Sequence, residues 1–589
     1  MSKFLLITPP LTQLNTPYPA TAVLKGYLES CGHQVAQADL GIELFEQVYS
    51  QPFLQRIYGP SSPYPRCVEA VKRFLRGTDN TLAPRIANRT FLPEGPRFNN
   101  VADLEWAFGN AGTNDCARHL ATLYIEDIAD FLRQMVDPHF DLIRYAEQLA
   151  QFAPRFDELE QALAEPLSPI GELMIELLAR HVEQEQPDIV GLAVPFPGCL
   201  YGALRCGQWL MRNTKAVVVI GGGFPNTEWR SLAEPRLFQC CHYVTLDDGE
   251  LPLERIAQGK DFVRTFSLQN GVVRYSGNDG ENTSFAAQTA PNFEGLPLHL
   301  YVSLAEMTNP MHRLWSSGRW NKLAMAHGCY WHRCAFCDTS LDYIARYEAP
   351  SAATVVDRME RVMQQTGVSG FHFVDEALPP QLLKSVAEEI LRRGLSVSFW
   401  GNIRFEKSFT PELCSLLAQA GCVAVSGGLE VASNRLLKLI DKGVTVEQTV
   451  DACRHFRDAG IMVHTYLMYG FPTETLQECV NALETVRRMF AEGIVQSAFW
   501  HRYAMTCHSP SGRDPQHFGA CRTQSEPYPF CNNEVDWDCS FPYDIEAVGR
   551  ALSFATYNYM NLVGLDQPLR RWFSIKIPKP TLPPCNSSK

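Results

Sequence analysis

The strongest constraint on the fold is an alternation of strand-like and helix-like segments that occurs twice along the chain. The first series begins with the apolar run KFLLIT at residues 3–8 and, after an interruption, resumes with DIVGLAV and AVVVIGGG. Strands that alternate with helices favour a parallel sheet covered by helices on both faces. We therefore predict an α/β protein whose first domain, residues 1–265, is a doubly wound Rossmann-like domain.

The interruption is long and has a different pattern. Residues from about 41 to 186 carry little strand signal, and runs such as IGELMIELLARHVEQ place apolar residues at helical spacing. We predict a largely helical insertion there. A polar stretch with Gly, Asn and Ser follows the first series, and it indicates a linker over residues 266–320.

The second series starts at residue 321 and contains six strand-like segments, from KLAMAH to QSAFWHR, separated by helical stretches. Six such units predict a partial (β/α)6 TIM-like barrel over residues 321–503, followed by a small C-terminal extension over 504–589. In barrels of this kind the active site lies at the carboxyl ends of the strands. Chemistry is therefore expected directly after each strand.

Composition excludes several classes of protein. No apolar run approaches the roughly 18 residues that a membrane helix needs, and the N-terminal residues lack the apolar core of a signal peptide. We expect a cytoplasmic protein without a membrane span. The net charge of −12 disfavours nucleic acid as a partner. The 19 cysteines, without a secretory signal, do not indicate a disulfide framework.

Three cysteines follow directly after the first strand of the predicted barrel, in AHGCYWHRCAFCD: Cys329, Cys334 and Cys337. Thiols this close in sequence can bind a single metal centre. A structural zinc ion needs four ligands, and His327 or His332 could complete that set. A [4Fe–4S] cluster held by three cysteines leaves one iron open for a ligand. The position at the barrel mouth favours the cluster, because a ligand cavity is expected there.

Polar residues recur at the ends of the later strands. Glu376 follows the second strand, where an acidic residue favoured at a helix N-terminus is an equally good explanation. Arg404 follows the third strand and can bind a carboxylate through two parallel hydrogen bonds. Glu430 ends the fourth strand, after Gly427 and Gly428, and offers an acceptor for an amine or a ribose hydroxyl. These residues are candidates for binding a ligand beside the cysteines.

These motifs resemble the radical S-adenosylmethionine (SAM) enzymes, whose usual cluster motif is C-x3-C-x2-C with an aromatic residue before the last cysteine. This chain has the variant C-x4-C-x2-C. GGLEVASNRLLKLIDKG and HTYLMYGFPTETLQE look like two further motifs of the family. The resemblance implies that Cys329, Cys334 and Cys337 hold a [4Fe–4S] cluster and that SAM binds the open iron. It also implies that SAM is surrounded by Phe336, Glu376, Arg404, Glu430, Leu467, Met468 and Gly470.

A Rossmann-like domain before such a barrel looks like the cobalamin-binding class of the superfamily. The resemblance places Gly221, Gly222 and Gly223, in VVVIGGGFPN, beside the nucleotide tail of cobalamin. The loop is not G-x-G-x-x-G, so a nicotinamide cofactor is not supported. Cobalamin enzymes often ligate cobalt through D-x-H-x-x-G, whereas this chain has Asp39-Leu40-Gly41. The resemblance therefore implies cobalamin without a histidine ligand from that motif.

The implied function is reductive cleavage of SAM to a 5′-deoxyadenosyl radical, followed by cobalamin-dependent methylation of an unactivated carbon in a small molecule or peptide. One alternative is a radical SAM rearrangement or cyclisation without methyl transfer. Another is a non-enzymatic zinc-binding scaffold. The expected partners are the substrate and an electron donor such as flavodoxin or ferredoxin.

Overall fold

The structure is a computed structural model that describes residues 1–100, 104, 112–142, 155–277, 280–307, 309–317, 319–523 and 528–582. Two large sheets organise it, and a two-stranded sheet lies in the C-terminal extension. The strands in chain order are β1 Lys3–Thr8, β2 Gln34–Asp39, β3 Ile189–Ala193, β4 Val217–Gly221, β5 Tyr243–Thr245, β6 Thr265–Gln269, β7 Val272–Ser276, β8 Asn321–Leu323, β9 Gly370–Phe373, β10 Ser398–Ile403, β11 Cys422–Glu430, β12 Met462–Tyr469, β13 Ser497–Arg502, β14 Cys521–Arg522 and β15 Trp537–Asp538.

The helices of the N-terminal half are Ala20–Ser30, Leu40–Val48, Gln51–Tyr58, Tyr64–Leu75, Ala83–Ala87, Thr113–Met135, Asp157–Ala164, Pro169–Glu185, Leu200–Asn213, Gly223–Glu228 and Glu250–Gln258. Those of the C-terminal half are Pro310–Ser317, Asp342–Ala345, Ala352–Thr366, Pro380–Arg393, Pro411–Gln419, Asn434–Leu439, Val446–Asp458, Leu476–Ala491, Pro510–Arg513 and Ile545–Met560.

The first sheet has the strand order β2-β1-β3-β4-β5-β6-β7. Strands β1 to β5 are parallel, as predicted, whereas β6 and β7 are antiparallel to their neighbours. The sheet therefore extends past residue 265 into the segment interpreted as a linker. The reason is a hairpin whose turn residues, Asn270 and Gly271, both have positive φ angles, which a tight two-residue turn favours.

All described elements between β2 and β3 are helical. The long helix Thr113–Met135 buries Leu120, Tyr124 and Ile128 along one face, at the spacing of an amphipathic helix. These side chains belong to the apolar core that also contains Leu5 and Ile7 of β1. The helices thus form one continuous core with one face of the first sheet.

The second sheet has the order β13-β12-β11-β10-β9-β8, and all its strands are parallel. The two edge strands do not pair with each other, so the barrel is partial, as predicted. Helices cover the outer face, and two of them begin with reciprocal capping boxes at Thr445 and Thr475. The helix Pro310–Ser317 lies against the inner face, where the Trp315 and His464 rings are 4.8 Å apart.

The carboxyl ends of the two large sheets face each other. Asp248 follows β5, and its carboxylate lies 3.2 Å from Nε2 of His327, which follows β8. Arg346 of the barrel also pairs with Asp248. Within the described residues, none of the helices combines the length and the apolar composition that crossing a bilayer requires.

Candidate active site

The loop after β8 carries the three cysteines. The backbone N–H of Cys337 donates to the carbonyl of Cys334 (3.2 Å), and the N–H of Cys329 donates to the carbonyl of Ile344 (3.1 Å). A hydrogen bond from the Cys337 thiol, aided by the charge of Lys442, lowers the pKa of the buried Cys334 thiol to about 7. The loop therefore favours a thiolate, which is the form that binds a metal.

A second group of possible metal ligands lies next to the cysteine loop. Among the described residues, the three-ligand group within 4.8 Å is formed by Asp248, His327 and Asp342, and not by the cysteines. The guanidinium of Arg346 pairs with both acids of that group, which makes it an ion-pair network.

A buried ion pair lies beside the cysteines. Nζ of Lys442 is 2.7 Å from Oε1 of Glu430 and 5.6 Å from the centre of the Phe336 ring. Burial opposes the charge of Lys442, but Glu430 and the cysteines raise its pKa above the ordinary value. Glu430, predicted to bind SAM, thus shares its carboxylate with a lysine. A Cβ at Gly428 would lie 1.7 Å from Oε1 of Glu430, so this glycine makes room for the pair.

Arg404 holds the cysteine loop rather than presenting a free guanidinium. It is 3% exposed and donates to the Lys442 carbonyl and to Glu406. Its guanidinium carbon lies 4.0 Å from the centre of the Trp331 ring, between the first two cysteines. Hydrogen bonds and ring stacking thus engage the guanidinium group of Arg404, and its role as a carboxylate ligand stays a prediction.

Asp375 and Glu376 follow β9 and differ in role. The buried carboxylate of Asp375 accepts hydrogen bonds from the N–H groups of Met325 (2.9 Å) and Ala326 (2.8 Å), which fixes the start of the cysteine loop. Glu376 keeps an exposed side chain in the space between the domains, near Tyr18. Burial raises the pKa of the Tyr18 hydroxyl to about 12, and the charge of Glu376 adds to this rise. The surrounding protein raises the pKa of Glu376 to about 6 by desolvation.

The three residues predicted to contact SAM at the end of the fifth strand have different surroundings. Met468 packs with Ala335 and Phe471 in a small apolar cluster, against which Phe336 lies. Leu467 points the other way, into the core between the sheet and its helices, because neighbouring residues of a strand face opposite sides. Its side chain therefore does not reach the cysteine loop. Gly470 has a φ of 80° and donates its N–H to Glu474 at the strand end.

The C-terminal extension supports the cysteine loop from outside. The backbone N–H and the hydroxyl of Ser511 both donate to the carbonyl of Ala335, at 2.9 and 2.7 Å. The Ser340 hydroxyl donates to the carbonyl of His508 (2.9 Å). Asp338, next to Cys337, pairs with Thr506. Sequence reasoning missed these contacts, since nothing in the extension's pattern indicates where its loop folds back.

The glycine loop after β4 borders a second cavity. The cavity has a volume of about 170 Å³ and lies among the ends of β1, β3, β4 and β5. It is lined by Gly221 and Gly222, together with Gly191 and Gly249. A Cβ at Gly222 would lie 2.7 Å from the carbonyl oxygen of Val194, and one at Gly223 would lie 2.7 Å from that of Pro195. Gly222 and Gly223 therefore allow close backbone packing at the sheet edge where α/β domains bind ligands.

Comparison with known proteins agrees with this geometry. Residues 324–486 match the model of the Radical SAM superfamily. The matched segment contains the cysteine loop, Arg404 and the Glu430–Lys442 pair. Residues 324–486 therefore carry a radical SAM domain, and the predicted enzymatic class is confirmed.

Two curated relatives extend the match. The chain is 24% identical over 328 residues to an uncharacterized methyltransferase of Pyrococcus horikoshii, which covers 54% of this chain and 68% of that protein. It is 30% identical over 354 residues to the anaerobic magnesium-protoporphyrin IX monomethyl ester cyclase of Cereibacter sphaeroides, covering 56% of this chain and 53% of that one. The chain thus spans about two thirds of the first relative and about half of the second.

A solved structure shares the complete architecture. The radical SAM methyltransferase TsrM from Kitasatospora setae, solved with cobalamin and a [4Fe–4S] cluster bound, aligns with 98% of this chain and 93% of its own. The TM-score is 0.51 and the sequence identity 17%. The predicted succession of an N-terminal parallel-sheet domain and a radical SAM barrel is confirmed by this shared fold.

Proposed function

We propose that this chain is a cobalamin-dependent radical SAM methyltransferase that acts on a small molecule. One observation carries the proposal: the cysteine loop at the barrel mouth faces the carboxyl end of a second parallel sheet, which holds a glycine-lined cavity. The superfamily match, the relatives and the fold shared with TsrM support it.

Cys329, Cys334 and Cys337 would hold the [4Fe–4S] cluster. When bound, the cluster supplies one electron to SAM, and cobalamin carries the methyl group. The chain's own residues prepare the site. Lys442 favours the Cys334 thiolate, Asp375 fixes the loop entrance, and Arg404 with Trp331 keeps the loop against the fourth strand end.

SAM would lie between the cysteine loop and the strand ends. Phe336 and Met468 offer an apolar surface there, and Gly470 leaves its strand end without a side chain. Glu430 would act together with Lys442 as a hydrogen-bonding pair. Glu376, facing the space between the domains, is placed to contact either SAM or the substrate.

The cavity beside Gly221 and Gly222 would take the nucleotide tail of cobalamin. Its lining includes the main chain of four glycines and few charged groups, which suits a heterocyclic tail. Asp39 accepts hydrogen bonds from the N–H groups of Gly41 (2.9 Å) and Ile42 (3.2 Å), so it caps a helix. Cobalamin would therefore bind without a protein ligand from this position.

The second candidate is a radical cyclisation or rearrangement. The specific observation in its favour is the 30% identity with the protoporphyrin ester cyclase. Product mass separates the two reactions, because methylation adds a CH2 unit and rearrangement does not.

The partners follow from the same proposal. A radical SAM site needs a one-electron donor, and we propose a flavodoxin or ferredoxin. We further propose a cytoplasmic location, because the cysteines are unpaired throughout the described chain, as expected in a reducing compartment.

The test uses the purified full-length chain, reconstituted anaerobically with iron, sulfide and cobalamin. With methyl-labelled SAM and a reductant, we expect 5′-deoxyadenosine and label in the cobalamin fraction. Cys334→Ala should lose 5′-deoxyadenosine, whereas Cys414→Ala, at a buried thiol outside the site, should keep both signals.

Gly222→Ala should lose bound cobalamin, whereas Gly32→Ala, with a positive φ and open space, should retain it. Wild-type protein that cleaves SAM but binds no cobalamin would refute the methyltransferase proposal.

A further inference from the structure

A cavity of about 300 Å³ lies on the inner side of the barrel, away from the cysteine loop. The loop after β1 contributes Gln13 and Thr16, the helix Pro310–Ser317 contributes His312 and Trp315, and β8 to β10 contribute their inner residues. A hydrogen bond joins the loop after β1 to this helix: Asn15 Nδ2 donates to the Trp315 carbonyl (2.8 Å). A volume of this size is typical of a small-ligand site.

Aromatic rings form the walls of this cavity. The His372 ring stacks on the Trp400 ring, with 3.6 Å between ring centres and 8° between their planes. Trp315 lies 6.2 Å and Trp320 6.4 Å from Trp400. The pair on adjacent strands arises because His372 and Trp400 are in register across β9 and β10. Flat walls of this kind select flat ligands.

One buried lysine side chain lies on the same cavity. Nζ of Lys322 donates to the neutral Oε1 of Gln13 (2.6 Å), and no ion pair joins Lys322 to a carboxylate of the described residues. Burial lowers the pKa of Lys322 to about 7. Lys442 is also buried, but unlike Lys322 it pairs with a carboxylate, that of Glu430. A buried cation without a counter-charge is costly, so a bound anion would stabilise it.

The walls also contain unused hydrogen-bond groups. In the described part of the chain, Nε2 of His312 and Nε1 of Trp315 and Trp400 have no partner. Burial lowers the pKa of His312 to about 4 and that of His372 to about 3, so both rings are neutral at pH 7. Glu306 also lines the cavity. A dry packing void is apolar, and this cavity is not.

We propose that this cavity binds a small planar aromatic carboxylate, with its ring beside the His372–Trp400 pair and its carboxylate on Lys322. That this ligand is the substrate rests on the proposed function. The Tyr18 ring connects the two regions, since its centre lies 5.8 Å from Lys322 Nζ and its hydroxyl lies near Glu376.

The test compares two probes of the same shape, 1-naphthoate and neutral 1-naphthamide, on the purified full-length chain by isothermal titration calorimetry. We expect 1-naphthoate to bind about tenfold more tightly or better, since a hydrogen bond to a charged group is worth more than one to a neutral group. Lys322→Met should abolish this preference, and Lys384→Met, at an exposed lysine, should keep it. Trp400→Leu should weaken the binding of both probes.

Equal affinity of the wild-type chain for the two probes, or no binding of either, would overturn the inference without any variant. Persistence of the preference in Lys322→Met would also overturn it. Cys334→Ala should bind 1-naphthoate like the wild type, because the cavity does not need the cluster. If the wild-type chain binds 1-naphthoate but does not cleave SAM, the result contradicts the proposed function alone. If it cleaves SAM but does not bind 1-naphthoate, the result contradicts this inference alone.

Discussion

At the scale of single residues, the cysteine loop depends on groups that do not bind the metal. Lys442 and Glu430 form a buried pair next to Cys334, and neither side chain has an alternative ion-pair partner among the described residues. Removing one member leaves the other charge buried and unpaired, which costs about 3–5 kcal/mol. The pair is therefore a structural requirement of the loop as well as a source of positive charge for the thiolate.

The first prediction concerns this pair. Lys442→Met should lower the melting temperature of the apo protein more than the double variant Glu430→Gln/Lys442→Met, because the double variant leaves no buried charge. Differential scanning fluorimetry measures both. The single variant Glu430→Gln completes the comparison. If the decrease in melting temperature of the double variant equals the sum of the decreases of the two single variants, the residues are not coupled.

The second prediction concerns Asp375, whose pKa burial raises from its ordinary 3.8 to about 7. An acid with a raised folded-state pKa favours folding while it is protonated, and this contribution is lost as the pH rises through 7. Asp375→Asn cannot ionise. The melting temperature of the wild type should therefore fall relative to that of Asp375→Asn between pH 5 and pH 8. If the difference between the two melting temperatures stays constant across that range, the assignment is contradicted.

At the scale of elements, the expanded C-x4-C spacing has a physical explanation. The loop carries Trp331, whose Nε1 donates to the Asp441 carbonyl (2.8 Å) and whose ring packs against Gly443 and Arg404. His332, next in sequence, has a positive φ of 37°. The longer loop is thus anchored on the turn that follows the Glu430 motif.

The third prediction tests this anchor. Gly443 has a φ of 74°, and a Cβ there would lie 2.2 Å from the Trp331 ring. Gly443→Ala should therefore displace the loop and reduce the iron retained after anaerobic reconstitution several-fold. Gly460→Ala is the matched control, since Gly460 has a φ of 78° but open space around it. Equal iron content in both variants would mean that the Trp331 contact does not position the cysteines.

Both alternating series could be predicted from the sequence, because apolar periodicity determines strands and helices that bury one face or both. The β6–β7 hairpin could not, since its strands are short and partly exposed within a polar stretch. Arg404 was placed correctly at a strand end, but its partners come from Trp331 and Lys442, which are remote in sequence. The burial of the Leu467 side chain in the core could not be predicted, because the motif does not say which face of the strand meets the ligand.

At the scale of the whole molecule, three regions meet around the cysteine loop. The N-terminal domain contributes Asp248, the barrel contributes the loop itself, and the extension contributes Ser511. The extension also contacts the first domain, where the Asn533 N–H donates to Glu228 (3.1 Å). The extension therefore contacts both the barrel and the N-terminal domain.

The central claim is that Cys329, Cys334 and Cys337 hold a [4Fe–4S] cluster with one open iron. The most direct measurement is electron paramagnetic resonance of the reduced, reconstituted protein with and without SAM, together with iron and sulfide analysis. We predict about four iron and four sulfide per chain and a signal that shifts on adding SAM, both lost in Cys334→Ala and retained in Cys414→Ala. Zinc without sulfide, or a cluster signal that persists in Cys334→Ala, would contradict the account.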